Sequence, residues 1–401
     1  MPDDGTFVAK GQQLFRQLSC QGCHAVTQDE QDQHSTAISL QHVALKFQPH
    51  ALYRFLRDPR QHYAWSQMPD FGLSAEEASQ LAAYLRDAAD GELKQLQASG
   101  PPDPQRGQIV FALRGCANCH ANPSSLDVEP LRFSRLEGQV RPAGCLATDA
   151  IARGDAPQYG ITDLQRAALA TFIRQDNDSL GRYVPAEEAG RLLSQLRCGV
   201  CHTEEPPPAT GTQQHAAAGQ QIPRLLQAGE RLHTDWMQRY LGGERGARLR
   251  PWLPVRMPVF AARAPILATG LAAQHGLAPS SPPPFAVDPR LAEIGSQLFR
   301  QNTGFHCVQC HALGAKQPAA NPQTHAFDLS QTAGRLRRES FDRLLLSPQL
   351  HAPGQNLPPA AEEGKSTANQ EWLDGDASQQ FNALWHFIHQ QQETESADTR
   401  G

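Results

Sequence analysis

The pentapeptide Cys20-Gln21-Gly22-Cys23-His24 recurs in kind three more times, as Cys116-Ala117-Asn118-Cys119-His120, Cys198-Gly199-Val200-Cys201-His202 and Cys307-Val308-Gln309-Cys310-His311. C-x-x-C-H is the attachment signature of a c-type haem. Two thiols at this spacing form thioethers with the two vinyl groups of one porphyrin, and the adjoining imidazole meets the iron. A single C-x-x-C could equally be a redox dithiol or half of a zinc site. Four copies, each followed by His at one fixed offset, leave those readings without an account of the histidines. The expectation is four covalently attached haem c groups, held by Cys20, Cys23, Cys116, Cys119, Cys198, Cys201, Cys307 and Cys310, with His24, His120, His202 and His311 as proximal iron ligands. Eight of the nine cysteines are used in this way, so Cys145 has no partner for an intrachain disulfide.

The chain has 401 residues, enough for two to four domains. With 39% hydrophobic and 19% charged residues it is globular in composition. No run approaches the roughly 18 apolar residues of a membrane span. Gly and Pro at 31 each point to short helices joined by irregular chain. The formal charge of -5 offers no nucleic-acid surface. Haem is attached in this way on the outer side of the bacterial inner membrane, so a periplasmic location, or one otherwise outside the cytoplasmic membrane, is expected. Met1-Pro2-Asp3-Asp4-Gly5 has neither the basic start nor the apolar core of an export signal. The sequence therefore reads as a mature or excised piece of a longer exported protein. Membrane contact is expected only through an anchor in such a missing segment.

The repeats extend beyond the cysteines. Gly11 and Phe15 precede Cys20 by nine and five residues, and Gly107 and Phe111 precede Cys116 by the same intervals. Gly295 and Phe299 precede Cys307 with a three-residue insertion, while Ala189 and Leu193 fill those slots in the third copy. Downstream, the stripe Leu81, Tyr84, Leu85 recurs as Leu169, Phe172, Ile173 and as Leu384, Phe387, Ile388, with Leu267, Gly270, Leu271 in copy three. Offsets of three and four define one helical face. Ser74-Ala75-Glu76-Glu77 starts the first of these helices as a capping box, and Thr162-Asp163 opens the second.

A G-x-x-x-F helix, C-x-x-C-H, a Met-Pro loop and a last helix with an aromatic-Leu pair together resemble the small monohaem cytochrome c domain. The resemblance implies an all-α fold of four tandem cytochrome c-like domains, spanning 5–95, 101–180, 184–280 and 286–391, with first and last helices crossing over each haem. Pro-rich and polar stretches, such as Gly100-Pro101-Pro102-Asp103-Pro104, mark the boundaries.

The second axial ligand governs the chemistry of each iron. Met68, in Gln67-Met68-Pro69-Asp70-Phe71, stands just before a capped helix and is the expected ligand in copy one. Met257, in Arg256-Met257-Pro258-Val259-Phe260, takes that place in copy three, and Met237 is expected to pack beside Tyr240 and Leu241. Copy two has Ala156 at the methionine position, and residues 121–197 contain no His, Met or Lys. An open iron, a ligand from another copy, or the thiolate of Cys145 remain for it. Copy four has Leu357 at the methionine position; His351 is favoured over His325, with an open or borrowed site as the alternative.

The ligand sequence Met-ligated, odd, Met-ligated, odd suggests two dihaem halves joined. The expected function is a tetrahaem electron carrier, working alone or as the electron-transfer subunit of an oxidoreductase, with no catalytic residues of its own. It would relay electrons between a redox partner protein, such as a dehydrogenase or another cytochrome, and a respiratory acceptor. The alternative is a dihaem peroxidase-like enzyme acting at an iron without Met, which would need an acid-base group over that iron. In copy two the carboxylates nearest to hand, Asp149 and Asp155, do not stand out for that role. Cys145→Ser is expected to change the optical spectrum of one haem; an unchanged spectrum removes the thiolate from the second iron.

Overall fold

The computed structural model describes residues 4–33, 37–61, 66–89, 101, 103–113, 116, 144–154, 156, 158–175, 182–202, 222–225, 227–244, 249, 255–300, 304–314, 328–351, 359–362 and 364–398. The regular structure among these residues is almost entirely helical. One parallel two-stranded ladder, β1 (His24–Ala25) against β2 (Ile38–Ser39), is the exception.

Each copy begins and ends with a helix. The pairs are α1 (Asp4–Gln17) and α2 (Ala75–Asp87), α3 (Pro104–Leu113) and α4 (Asp163–Arg174), α5 (Pro185–Gln195) and α6 (Ala264–Ala273), α7 (Pro289–Phe299) and α8 (Ala377–Asp398). Their starts follow from sequence. Ser74 Oγ accepts from Glu77 N at 3.1 Å while Glu77 Oε2 accepts from Ser74 N at 2.8 Å. Thr162 and Gln165 do the same for α4, at 3.2 and 2.8 Å. Such a reciprocal cap satisfies two backbone donors at once. Pro185 and Pro289 occupy the first turns of α5 and α7, where the missing N–H costs nothing.

The helices of copies one, three and four cross at contact distance because one of them carries no side chain at the crossing. A Cβ on Gly11 would collide with the Gln80 carbonyl and lie 2.8 Å from Tyr84 Cβ. On Gly295 it would collide with the Ala383 carbonyl and lie 2.8 Å from Phe387 Cβ. The aromatic pairs beside these crossings match: Phe15 and Tyr84 centroids are 5.5 Å apart, as are those of Phe299 and Phe387. Copy three inverts the scheme. Ala189 stands on the first helix and Gly270 on the last, and it is a Cβ on Gly270 that would strike the Pro185 carbonyl and Ala189. The departure of Ala189 from the glycine pattern and the missing aromatic at Gly270 are thus one compensated exchange.

Copies one and four bury full apolar cores around Leu14, Phe15, Leu52 and Leu81, and around Leu298, Phe341, Phe381, Leu384 and Ile388. Copy three has a smaller one, in which Met237, 3% exposed, packs with Ala268 and Leu271.

Two sequence expectations are corrected. The crossing of α3 with α4 is not formed: a Cβ on Gly107 would meet nothing within 4 Å, and Leu169 and Phe172 remain 41% and 39% exposed. The glycine face of α3 is thus unopposed, and the stripe of α4 is not packed against it. Nor do contacts follow two dihaem halves. The chain divides into Met1–Lys94 with Val184–Gly401, and Gln95–Tyr183 by itself. The bonds that join copies one, three and four combine backbone pairs, such as Asp70 with Val259, with side-chain donors such as Arg197, Arg231, Arg256 and Arg337.

Because these crossings leave no room for a side chain, Gly295→Val is expected to cost about 3 kcal/mol, the upper end of overpacking penalties, read by denaturant unfolding. Gly270→Phe should be comparably harmful alone and substantially rescued by Ala189→Gly.

Candidate haem-binding sites

Every described attachment turn is preceded by a residue in the left-handed region: Ser19 (φ 58°, ψ 35°), Arg197 (φ 54°, ψ 41°) and His306 (φ 60°, ψ 21°). None is glycine, and a side chain there costs roughly 1–2 kcal/mol. The reversal leads directly into one tight turn that carries the cysteines, Cys20–Gly22, Cys198–Val200 and Cys307–Cys310. Cys23 N donates to Cys20 O at 3.1 Å, Cys201 N to Cys198 O at 3.2 Å, and His311 N to Cys307 O at 2.9 Å.

Burial favours the neutral thiol at Cys20, Cys23, Cys198, Cys201 and Cys307. Burial pushes Cys20 up to about 12, with the neighbouring Cys23 adding to the rise. Burial likewise raises Cys307 to about 12 and Cys198 to about 11. A redox or nucleophilic C-x-x-C works by lowering a thiol into the physiological range; these move the opposite way. Among the described residues no cluster of three or more His, Cys, Asp or Glu could hold a bare metal ion.

In the third copy a histidine and a methionine come together. His202, 8% exposed, places Nδ1 2.6 Å from Pro223 O and Nε2 3.4 Å from Met257 Sδ. A carbonyl only accepts, so Nδ1 carries the proton and Nε2 presents a bare lone pair. A thioether sulfur is also an acceptor. Imidazole nitrogen and thioether sulfur, the donor pair of a His–Met iron, are thus brought to one place. In copy one His24 Nδ1 lies 3.3 Å from Ile38 O, the residue paired with it in the β1–β2 ladder. Burial holds His24 below the usual histidine value, and Arg197 adds to the lowering while the Ile38 carbonyl opposes it. A neutral imidazole is the form that ligates metal.

Residues 8–89 match the cytochrome c family model. This stretch is a cytochrome c domain. Such a domain holds haem c covalently, binds its iron and transfers electrons through it. No curated protein and no solved structure matches the chain. The residues of this domain fit the haem: the paired thiols of Cys20 and Cys23, the His24 imidazole turned by Nδ1 to the Ile38 carbonyl, and the half-buried thioether of Met68.

The other candidates occupy varied places. Met68 is half-buried against the core of the cytochrome c domain. His311 closes the turn Cys307–Cys310 and is half-buried. Cys116 is half-buried; Cys119 and His120 lie outside the described residues, as do His325 and Leu357. Cys145 is exposed on the turn Gly144–Leu146, which Arg166 ties to α4 by donating to Leu146 O at 2.8 Å. His351 is half-buried at the end of the short helix Pro348–His351, where its carbonyl accepts from Arg231 at 3.2 Å.

Sequence reading missed Ile38 and Pro223, which sit 14 and 21 residues beyond their histidines and act only through backbone oxygen. It also missed Ser19, Arg197 and His306, which share a position and no chemistry.

Met257→Ala is expected to abolish one of two Met-to-iron charge-transfer signals in the oxidised protein. Met237→Leu, a volume-conserving change costing less than about 1.5 kcal/mol, should leave both signals in place.

Proposed function

We propose that the chain is a four-haem c-type cytochrome that relays electrons between a redox partner, such as a dehydrogenase or another cytochrome, and a respiratory acceptor outside the cytoplasmic membrane. The observation that carries this reading beyond the first domain is His202 Nε2 facing Met257 Sδ at 3.4 Å with Nδ1 committed to Pro223 O. A third-copy site prepared for a His–Met iron, in a chain whose four motifs are alike, supports one haem per motif. Bound haem supplies a one-electron couple, and His with Met ligation favours a saturated, high-potential carrier.

The chain's own part is to hold, orient and shield. The attachment turns hold each ring by Cys20 and Cys23, Cys116 and Cys119, Cys198 and Cys201, and Cys307 and Cys310. His24, His120, His202 and His311 take the proximal positions. Met68 and Met257 complete the first and third irons; Cys145 and His351 are the proposed ligands of the second and fourth. Hydrogen bonds from imidazole Nδ1 to backbone carbonyls fix the rings against rotation and raise their basicity.

Mass spectrometry of mature protein should show four added porphyrins, with a matching pyridine haemochrome absorbance. EPR of the oxidised protein should be low-spin throughout and unmoved by cyanide. Fewer than four porphyrins sinks the tetrahaem count. A high-spin signal with peroxide turnover would replace the carrier by a peroxidase-like enzyme.

A further inference from the structure

Copies one and three touch through equivalent positions. Gly22 and Val200 hold the same slot in their Cys-x-x-Cys turns, and a Cβ on Gly22 would collide with the Val200 side chain. Asp70 and Val259 each stand two residues after the Met of their loops. They exchange both backbone hydrogen bonds, Val259 N to Asp70 O at 2.7 Å and Asp70 N to Val259 O at 3.3 Å. Contact between equivalent residues marks a two-fold axis, and here two such contacts lie on one internal axis.

Reciprocal bonds flank that axis. Arg197 Nη1 donates to Gly22 O at 3.0 Å, and Ser19, which occupies the same slot in copy one, is hydrogen-bonded to the Cys201 sulfur. On the distal side Arg256, beside Met257, donates to Glu77 Oε2 at 3.1 Å and forms an ion pair with that carboxylate. A small open cleft at this junction is lined by Met68, Pro69, Leu196, Val259 and Phe260. Attachment turn meets attachment turn, and methionine loop meets methionine loop.

We propose that the haems carried by Cys20/Cys23 and Cys198/Cys201 form a directly coupled pair across this internal two-fold. Electrons then pass between the first and third sites without visiting the second, which chain order places between them. The inference rests on the reading of the chain as a multihaem cytochrome. One electron leaves the iron at His24 as one arrives at the iron at His202, one being oxidised as the other is reduced, with no proton or bond transferred. Arg197 belongs to copy three but lies against the first attachment turn. It is a cation one site contributes to the electrostatics of the other.

The pairing is tested by Asp70→Cys with Val259→Cys. Residues exchanging both bonds of an antiparallel pair have Cα atoms about 5.5 Å apart, within disulfide range. Mild oxidation should give an intramolecular disulfide, found by peptide mapping of the monomer. No disulfide, or one joining two molecules, overturns the pairing.

A second measurement reads the coupling. Arg197→Gln should lower the midpoint potential of the haem whose charge-transfer band Met68→Ala abolishes, since a nearby cation disfavours ferric iron. An unmoved potential for that haem overturns the coupling. A protein that forms the disulfide but carries no porphyrin at Cys20 and Cys23 overturns both the coupling and the tetrahaem reading, while the two-fold contact stands.

Discussion

The fold of copies one, three and four depends on a helix crossing in which one backbone rests directly on another. Glycine in a helix costs about 0.5–1 kcal/mol relative to alanine, so it is a poor choice unless the space it vacates is used. At Gly11 and Gly295 the opposing carbonyls of Gln80 and Ala383 fill that space, and the aromatic one turn on packs beside the crossing. Copy three reaches the same separation with Ala189 against Gly270. What the fold requires is a small combined volume at the crossing, divided between the helices in either way. The crossing brings the two ends of each copy together, so the turn after the first helix and the loop before the last approach from opposite sides.

Between those two approaches lies the imidazole, and its orientation is set by a proton. Committing Nδ1–H to a carbonyl leaves Nε2 unprotonated and aimed, as second-shell partners do for metal-bound histidines. Copy one takes its carbonyl from a strand paired with the histidine itself; copy three takes one from an extended segment after a longer excursion. The oxygen is kept while the chain that delivers it varies. The burial that lowers His24 also raises the thiol of Cys20, so one desolvated pocket favours the uncharged form of both groups.

Much of this was legible in sequence, because it is written in side chains. Four C-x-x-C-H motifs, the Gly-to-aromatic interval and the Leu-aromatic-Leu stripes gave the helices and the crossings of copies one and four. Ser74 and Thr162 gave the capped starts. Copy three read as degenerate because its compensation couples Ala189 and Gly270, 81 positions apart. The left-handed residue before each turn was illegible, since Ser, Arg and His have no common propensity for it; the turn imposes that conformation. The partnership of copies one, three and four was illegible for a related reason. Asp70 with Val259 is a backbone pair, and backbone groups look the same at every residue. In copy two the same motifs raised an expectation that the exposed faces of α3 and α4 do not meet.

Among the described residues the third copy meets the first and the fourth, and meets them differently. It meets copy one through its attachment turn and methionine loop. It meets copy four through another internal two-fold: Leu232 bridges Leu336, His233 N donates to Arg335 O and Arg337 N to Arg231 O, both at 2.9 Å. Those residues lead into the helices Thr234–Gly242 and Arg338–Leu346, more than 25 positions in sequence from the attachment turns. A self-complementary face is used up by a single two-fold partner, so the third copy needs a second such face for its second contact: one lies at the Cys-x-x-Cys turn and methionine loop, the other at a helical shoulder.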